Sequence, residues 1–240
     1  MLNSARITCD FLGLKAGDTA LLCMPLDYIA GKMVVVRSIE RRLHLLSVPP
    51  SGHPLSDSSL SRLPDSDGEI TFAAMVPLQV YNSLQVAGER ERLRRIRHLI
   101  IGGGAVDDRL AAALHDFPHA VWSTYGMTET LSHIALRRLN GPGADDWYRP
   151  FEGVEVWLDE DGCLVVNAPA VCSRPLVTRD RAELRLSRPA DASPVRGFRI
   201  LGRKDNVIDS GGIKIQIEEV ERRLKPLLAG GFAVTSCPDE

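Results

Sequence analysis

The stretch HAVWSTYGMTET, residues 119–130, opens as a short apolar run and ends in hydroxyls. Val121 and Trp122 read as a buried strand that stops at Gly126. Three threonines, a tyrosine, a glycine and one carboxylate then crowd into Ser123–Thr130. A strand that empties into hydroxyls is a typical ligand position in an open α/β sheet, where sites form at the carboxyl ends of strands. A lone Thr-Glu-Thr reads better as a polar turn. The rest of the chain decides between the two.

Upstream, helical and strand patterns alternate. LNSARITCDFLGL has helical spacing and ends at Gly13, and TALLCMP is a short apolar strand. YIAGKMVVVRSIE returns to helix, LHLLSV is a second strand, and ITFAAMVP is a third after the polar loop SGHPLSDSSLSRLPDSDG. VPLQVYNSL reads as helix, RHLIIGG as strand and DDRLAAALHDF as helix, which leads into the opening stretch. This alternation predicts an α/β fold, a largely parallel sheet flanked by helices. The run GERERLRRIRHLI alternates arginines with Leu and Ile and reads as a solvated helix face.

Downstream the pattern changes twice. After NGPGADDWYRP, the segment GVEVWLDEDGCLVVNAP predicts a hairpin turning at Asp161-Gly162. AELRLS and GFRILG extend it into a small antiparallel β unit. Past Asp205 come a Gly-Gly turn, an amphipathic helix with Ile217, Val220, Leu224 and Leu227 on one face, and a strand FAVTS. That last portion reads as the start of a small α+β domain. The expected organisation is a large domain over 1–205, with its α/β part in 1–140 and its β part in 150–205. A smaller domain begins at 206–240.

Bulk properties exclude several classes. The 240 residues are 44% hydrophobic and 25% charged, with net charge −2, and no basic face with interleaved aromatics points to nucleic acid. No apolar run approaches the roughly 20 residues that cross a bilayer, and the start lacks a secretion signal's pattern. The five cysteines (Cys9, Cys23, Cys163, Cys172, Cys237) are scattered without a CxxC pair. They suit a reducing cytoplasm better than a disulfide framework or a zinc site.

HLIIGGGAVDDRL invites a dinucleotide-binding reading, since strand, glycines and helix follow one another. Asp107 stands where Gly or Ala should let helix pack on strand, and no ribose-binding acid ends the next strand. The glycines make better sense together with Ser123–Thr130. Adjacent parallel strands would bring both carboxyl ends to one rim. There Gly102, Gly103, Gly104 and Ala105 let a flat base approach the backbone, and Tyr125 beside Gly126 offers a ring. Thr128 can donate to phosphate oxygens, and Glu129 can hold Mg²⁺, which shares carboxylate oxygens with phosphates.

On these residues the chain resembles the adenylate-forming enzymes, the superfamily of acyl-CoA synthetases, peptide-synthetase adenylation domains and luciferases. The resemblance covers GGGA…STYGMTET, then VTRD (Val177–Asp180), then LGRKDNVIDSGGIKIQIEEVE. Within it, MPLDYIAGKMVVVRS, TYGMTETLSHIALRRLNG and DNVIDSGGIKIQIEEVE are similar to the branch of acid–CoA ligases that activates o-succinylbenzoate for menaquinone synthesis.

The resemblance implies a cytoplasmic, ATP-dependent ligase with Mg²⁺ as cofactor and CoA as co-substrate, and it leaves room for a homodimer. It implies that Thr128 and Glu129 act on the phosphates, that Asp180 grips the ribose and Arg203 contacts the nucleotide. Asp205 would be the hinge, and Gly211 and Gly212 would line a tunnel for CoA. Lys32 and His133 are the candidates for the acid. Arg179 departs from the family's Gly, and Asp209 from its Asn or Lys. The family's hydroxyl-rich phosphate loop and C-terminal lysine have no counterpart in these 240 residues. The chain therefore reads as an internal piece of a longer enzyme that turns over poorly by itself. A non-catalytic nucleotide-binding module, another acyl- or aryl-CoA synthetase and a peptide-synthetase adenylation domain are the alternative readings.

Overall fold

A computed structural model describes residues 1–62, 69–186, 195–210, 213–228 and 232–235. They divide into two compact units, one of residues 1–153 with 170–173 and the other of residues 154–169 with 174 onward.

The first unit is built on a seven-stranded sheet. Its elements are helix α1 (Leu2–Leu12), strand β1 (Thr19–Leu22), α2 (Ile29–Arg41), β2 (His44–Ser47), β3 (Phe72–Met75), α3 (Pro77–Gln85) and α4 (Ala87–Arg95). Then come β4 (His98–Ile101), α5 (Asp108–Leu114), β5 (Ala120–Met127), β6 (Ser132–Arg138) and the short β7 (Arg149–Pro150). The strand order is β2-β1-β3-β4-β5-β6-β7. The first five strands pair in parallel, and β6 and β7 add on antiparallel. Leu21, Phe72, Ala73, Leu99 and Ile101 are wholly buried, as strands covered on both faces require.

Local chemistry explains the boundaries. Gly13 ends α1 in the left-handed region at φ 68°, its N–H returning to the Asp10 carbonyl at 3.1 Å. Asp107 is the N-cap of α5, its side chain accepting from the Leu110 N–H at 2.8 Å. The residue that breaks the dinucleotide pattern is thus a carboxylate set at the helix start, where a phosphate would have to bind. The run read as a solvated helix face is α4, with one exception. Glu89 is buried and receives hydrogen bonds from His53 at 2.9 Å, Ser56 at 2.5 Å and Ser83 at 2.8 Å.

Strand β6 lies outside every strand the sequence pattern indicated. The chain reverses from β5 into β6 through a single 3₁₀ turn, Thr128–Thr130, with Leu131 left-handed at φ 62°. No Gly, Asn or Pro marks that turn, so the usual signal is missing. Thr130 substitutes for it. Its buried hydroxyl accepts from the Met127 N–H at 3.0 Å and lies 2.7 Å from the Ser132 carbonyl.

The second unit carries an antiparallel sheet of β8 (Glu155–Leu158), β9 (Cys163–Asn167), β10 (Leu176–Leu186) and β11 (Val195–Arg203), in the order β11-β10-β9-β8. The expected hairpin turns at Gly162, φ 76°. A second hairpin pairs β12 (Val207–Ser210) with β13 (Ile213–Gln216) and leads into α6 (Ile217–Leu224). The segment FAVTS forms no strand over its described residues 232–235; the Val234 N–H bonds the Glu221 carboxylate at 3.0 Å instead of a ladder partner. Among the described residues no helix is long and apolar enough to cross a membrane.

Candidate functional site

In the first unit the ladders hold Met75 level with Ile101 and Ile101 level with Ser123. The residues that follow β3 and β4 therefore meet the end of β5 on one rim. A cavity of about 240 Å³ opens there. Its floor is Ala74, Met75 and Ile100, one wall is Ile29, Ala30 and Arg37 of α2, and the other is Thr124, Gly126, Ser132 and His133. Two glycines make the walls possible. A Cβ on Gly31 would sit 2.2 Å from the Pro25 carbonyl oxygen, and one on Gly126 would sit 2.3 Å from that of Ser132. Only hydrogen there lets α2 and β6 come this close.

The sequence candidates separate in this frame. Gly102, Gly103, Gly126, Thr128 and His133 line the cavity. Gly104 and Ala105 are exposed beyond it, and Gly103 takes a left-handed φ of 77°. Tyr125 is not part of the lining expected around it; its ring lies 5.9 Å from that of Tyr148. The threonines of the opening stretch have three separate tasks. Thr124 packs over Gly102, Thr130 staples the turn, and Thr128 faces the cavity. Glu129 is exposed on the same turn, and among the described residues neither it nor the Thr128 hydroxyl has a hydrogen-bond or ion-pair partner.

Lys32 is exposed and does not line the cavity, because the buried face of α2 carries Gly31, Met33, Val34, Arg37 and Ser38. The cation in the wall is Arg37, which the sequence reading passed over. An arginine in phase with Met33 and Val34, inside the run MVVVRS, was the available signal.

Arg37 is only 2% exposed. Its Nη2 donates to Ser132 Oγ at 2.9 Å and to Thr8 Oγ1 at 3.4 Å, while Nε is enclosed with no partner among the described residues. Phe72 covers it, ring centroid 6.0 Å from the guanidinium carbon. No carboxylate pairs with it among the described residues. Burial pulls its pKa down from the ordinary arginine range to about 10, so it stays charged at neutral pH. His133 lies beside it with Nε2 3.0 Å from Thr8 Oγ1 and Nδ1 3.1 Å from Ser132 Oγ. Burial, followed by the charge of Arg37, holds its pKa well below 6.5 and keeps the ring neutral. The cavity is thus mainly apolar, with a positive charge that no carboxylate among the described residues offsets.

The second unit gathers the remaining candidates. Arg203 reaches Asp205 at 3.1 Å and Asp180 at 3.7 Å. Arg179 also meets Asp205, at 3.3 Å. The hydrogen bond from Arg203, aided by Arg179, holds the Asp205 carboxyl below its ordinary value. Glu218 accepts from the Arg203 N–H at 3.2 Å and from Asn206 at 2.7 Å, which fixes the backbone around Asp205. Gly211 and Gly212, and the Asp209 side chain, lie outside the described residues. No group of three or more His, Cys, Asp or Glu able to hold a metal occurs among the described residues.

Residues 1–168 match the family model described as AMP-binding enzyme. A 2-succinylbenzoate–CoA ligase of Bacillus cereus is 26% identical over 235 residues, covering 87% of this chain and 47% of that protein. The enzyme of the same name from Salmonella typhimurium is 27% identical over 252 residues, covering 97% and 49%. The chain spans about half the length of the curated relatives it matches. Among solved structures, an acyl-CoA synthetase (AMP-forming)/AMP-acid ligase II-like protein from Dyadobacter fermentans DSM 18053 superposes with a TM-score of 0.73 at 34% identity, over 94% of this chain and 60% of that one. The O-succinylbenzoate Coenzyme A synthetase of Bacillus subtilis in complex with AMP gives a TM-score of 0.74 at 22% identity, over 100% and 53%, a likeness of fold.

Proposed function

The chain belongs to the AMP-binding enzyme family, and from that premise we propose that it is part of an ATP-dependent acid–CoA ligase working through an acyl-adenylate. The acid we propose is o-succinylbenzoate, which would set the enzyme in menaquinone synthesis. The curated relatives named 2-succinylbenzoate–CoA ligase support this choice.

The observation that carries the choice of acid is Arg37. Enclosing a cation costs several kcal/mol unless an anion joins it. Its hydrogen-bond partners among the described residues are two neutral hydroxyls, and the Phe72 ring over it carries no negative charge to match. An aromatic acid with a second carboxylate would place its ring on the apolar walls and that carboxylate on Arg37. The first carboxylate would then face the rim at Gly102, Gly103 and Thr128, where the nucleotide is proposed to bind with Gly104, Ala105 and Tyr125. In the second unit Asp180 and Arg203 are proposed for the ribose and nucleotide, and Asp205 for the hinge at which the small domain of 206–240 begins. Gly211 and Gly212 are proposed for the CoA tunnel.

The residues present fit Mg²⁺. Glu129 is an exposed carboxylate that, like the neighbouring Thr128 hydroxyl, has no partner among the described residues, and Mg²⁺ takes one or two carboxylates with phosphate and water oxygens completing its shell. When bound, the ion would offset charge on the phosphate oxygens. Thr128 would donate to those oxygens, and the cavity would hold the acid in line with them. The acid's carboxylate would displace pyrophosphate from ATP, and the CoA thiol would then displace AMP. The test is pyrophosphate release by the complete gene product with o-succinylbenzoate, benzoate and a long-chain fatty acid. The diacid is expected to be preferred; preference for the fatty acid would overturn the assignment.

A further inference from the structure

The hydrogen bonds around Arg37 run in one direction, and they pass through Thr8 to the Ser4 carbonyl. Thr8 sits on α1, is wholly buried, and does not line the cavity. Its hydroxyl donates to the Ser4 carbonyl at 3.0 Å, one turn back along the helix. The oxygen is therefore left to accept, from His133 Nε2 at 3.0 Å and from Arg37 Nη2 at 3.4 Å. A hydrogen on Nε2 of a neutral ring leaves Nδ1 bare. Nδ1 then accepts from Ser132 Oγ at 3.1 Å, and Ser132 Oγ in turn accepts from Arg37 at 2.9 Å. Donor follows donor from the guanidinium to a backbone carbonyl.

We infer that Thr8 is a positioning residue for the acid-binding cavity, fixing the tautomer of His133 and through it the Ser132 hydroxyl and the Arg37 guanidinium. The inference rests on the reading of this cavity as the site of an acid with a second carboxylate. Without an acceptor at position 8, a hydrogen on Nε2 would be buried unsatisfied, which is costly. The ring would then favour the hydrogen on Nδ1. Ser132 Oγ would face two donors, and its own hydrogen would have to turn away from the ring. The guanidinium would lose the fixed acceptor that aims it.

Thr8→Val keeps the shape and removes the acceptor, whereas Thr8→Ser keeps the acceptor. The assay compares kcat and KM for o-succinylbenzoate and benzoate in the complete gene product. Thr8→Val is expected to lower kcat/KM for the diacid about tenfold or more, mainly through KM, while sparing benzoate. Thr8→Ser is expected to behave as wild type. A Thr8→Val protein that keeps its preference, equal losses for both acids, or a Thr8→Ser protein as impaired as Thr8→Val would each overturn the inference. A second readout needs no variant to fold. In the ¹⁵N-histidine spectrum of the wild type, His133 is expected to carry its hydrogen on Nε2, and a hydrogen on Nδ1 would overturn the role of Thr8. A wild type indifferent to the second carboxylate would sink the acid assignment instead, while the His133 spectrum would still report on Thr8.

Discussion

Arg37 Nη2 donates to Ser132 Oγ at 2.9 Å and so ties the buried face of α2 to the first residue of β6, 95 positions away in the chain. The contact closes one end of the cavity with a charge that has no carboxylate partner among the described residues. Arg37→Met would exchange a buried ion for an apolar group of similar length. Losing a charge pair with the substrate typically costs about 2–5 kcal/mol, so kcat/KM for o-succinylbenzoate should fall about thirtyfold or more. Benzoate should be used as before. Thermal unfolding should show the variant at least as stable as wild type, because an uncompensated buried cation has been removed. Equal losses for both acids would take Arg37 out of substrate recognition.

Acid should destabilise the fold in two separate windows. His133 and His98 both have pKa values depressed by burial, with a nearby arginine adding to it. Both are neutral in the fold, but below about pH 6.5 they take up protons in the unfolded chain. Their stability contribution is therefore complete above that pH and falls as pH drops toward the folded values, by at most about 1.4 kcal/mol per pH unit for each. His133→Gln should remove part of this slope and leave the part due to His98. Urea unfolding between pH 7 and pH 5 measures it, and an unchanged slope would show that His133 is not neutral in the fold.

Glu89 governs the lower window. Burial raises its pKa, but the hydrogen bonds from Ser56, Ser83 and His53 outweigh this and leave it below 4.5. Its stabilisation is present above the unfolded value and is lost as pH falls through the folded one. Glu89→Ala strands the buried Ser83 hydroxyl, while the exposed His53 and Ser56 turn to water, and should cost about 1–3 kcal/mol by chemical denaturation at neutral pH. A loss under about 0.5 kcal/mol would mean that the cluster is solvated.

The legible parts of this molecule are those whose turns are marked. Gly13 ends a helix and Asp161-Gly162 turns a hairpin, each as residue type alone suggests. Strand β6 was hidden because its entry depends on Leu131 in a left-handed conformation and on the Thr130 hydroxyl, neither of which is a local signal. The glycine and Thr-Glu-Thr segments do converge on one rim, as adjacent parallel strands dictate. The cation in the wall was passed over for a simpler reason. Each residue of a helix turns 100°, so Lys32 and Arg37 face different sides although both belong to the same segment. Thr8 and His133 lie 125 residues apart, and no pattern along the chain announces such a pair.

Glu129 should be dispensable for folding and costly for adenylation. It is exposed and has no partner among the described residues, so Glu129→Gln should leave the unfolding midpoint unchanged. If it holds Mg²⁺ on the phosphates, pyrophosphate release should drop about a hundredfold or more, and the Mg²⁺ concentration for half-maximal rate should rise. An unchanged Mg²⁺ dependence would place the ion on other ligands.

Gly126 tests whether the cavity wall and the strand pairing are one construction. A Cβ at this position would lie 2.3 Å from the Ser132 carbonyl oxygen and 2.4 Å from the His133 Cα, both backbone atoms that cannot rotate aside. The register of β5 against β6 shifts between Tyr125 and Gly126, so the close approach is built into the pairing. Gly126→Ala must push β6 outward, and overpacking of this kind costs about 1–3 kcal/mol or more. Because Ser132 and His133 move with β6, the same change should weaken binding of o-succinylbenzoate. Gly104→Ala is the contrast, since its Cβ would meet only the Pro77 ring at 3.5 Å, an ordinary contact. Its unfolding midpoint should match wild type. Calorimetry of acid binding and thermal unfolding of both variants separate the two effects. A Gly126→Ala protein with wild-type stability and affinity would mean that β6 can retreat without disturbing Arg37, and the wall would then be looser than the contact between Arg37 and Ser132 requires.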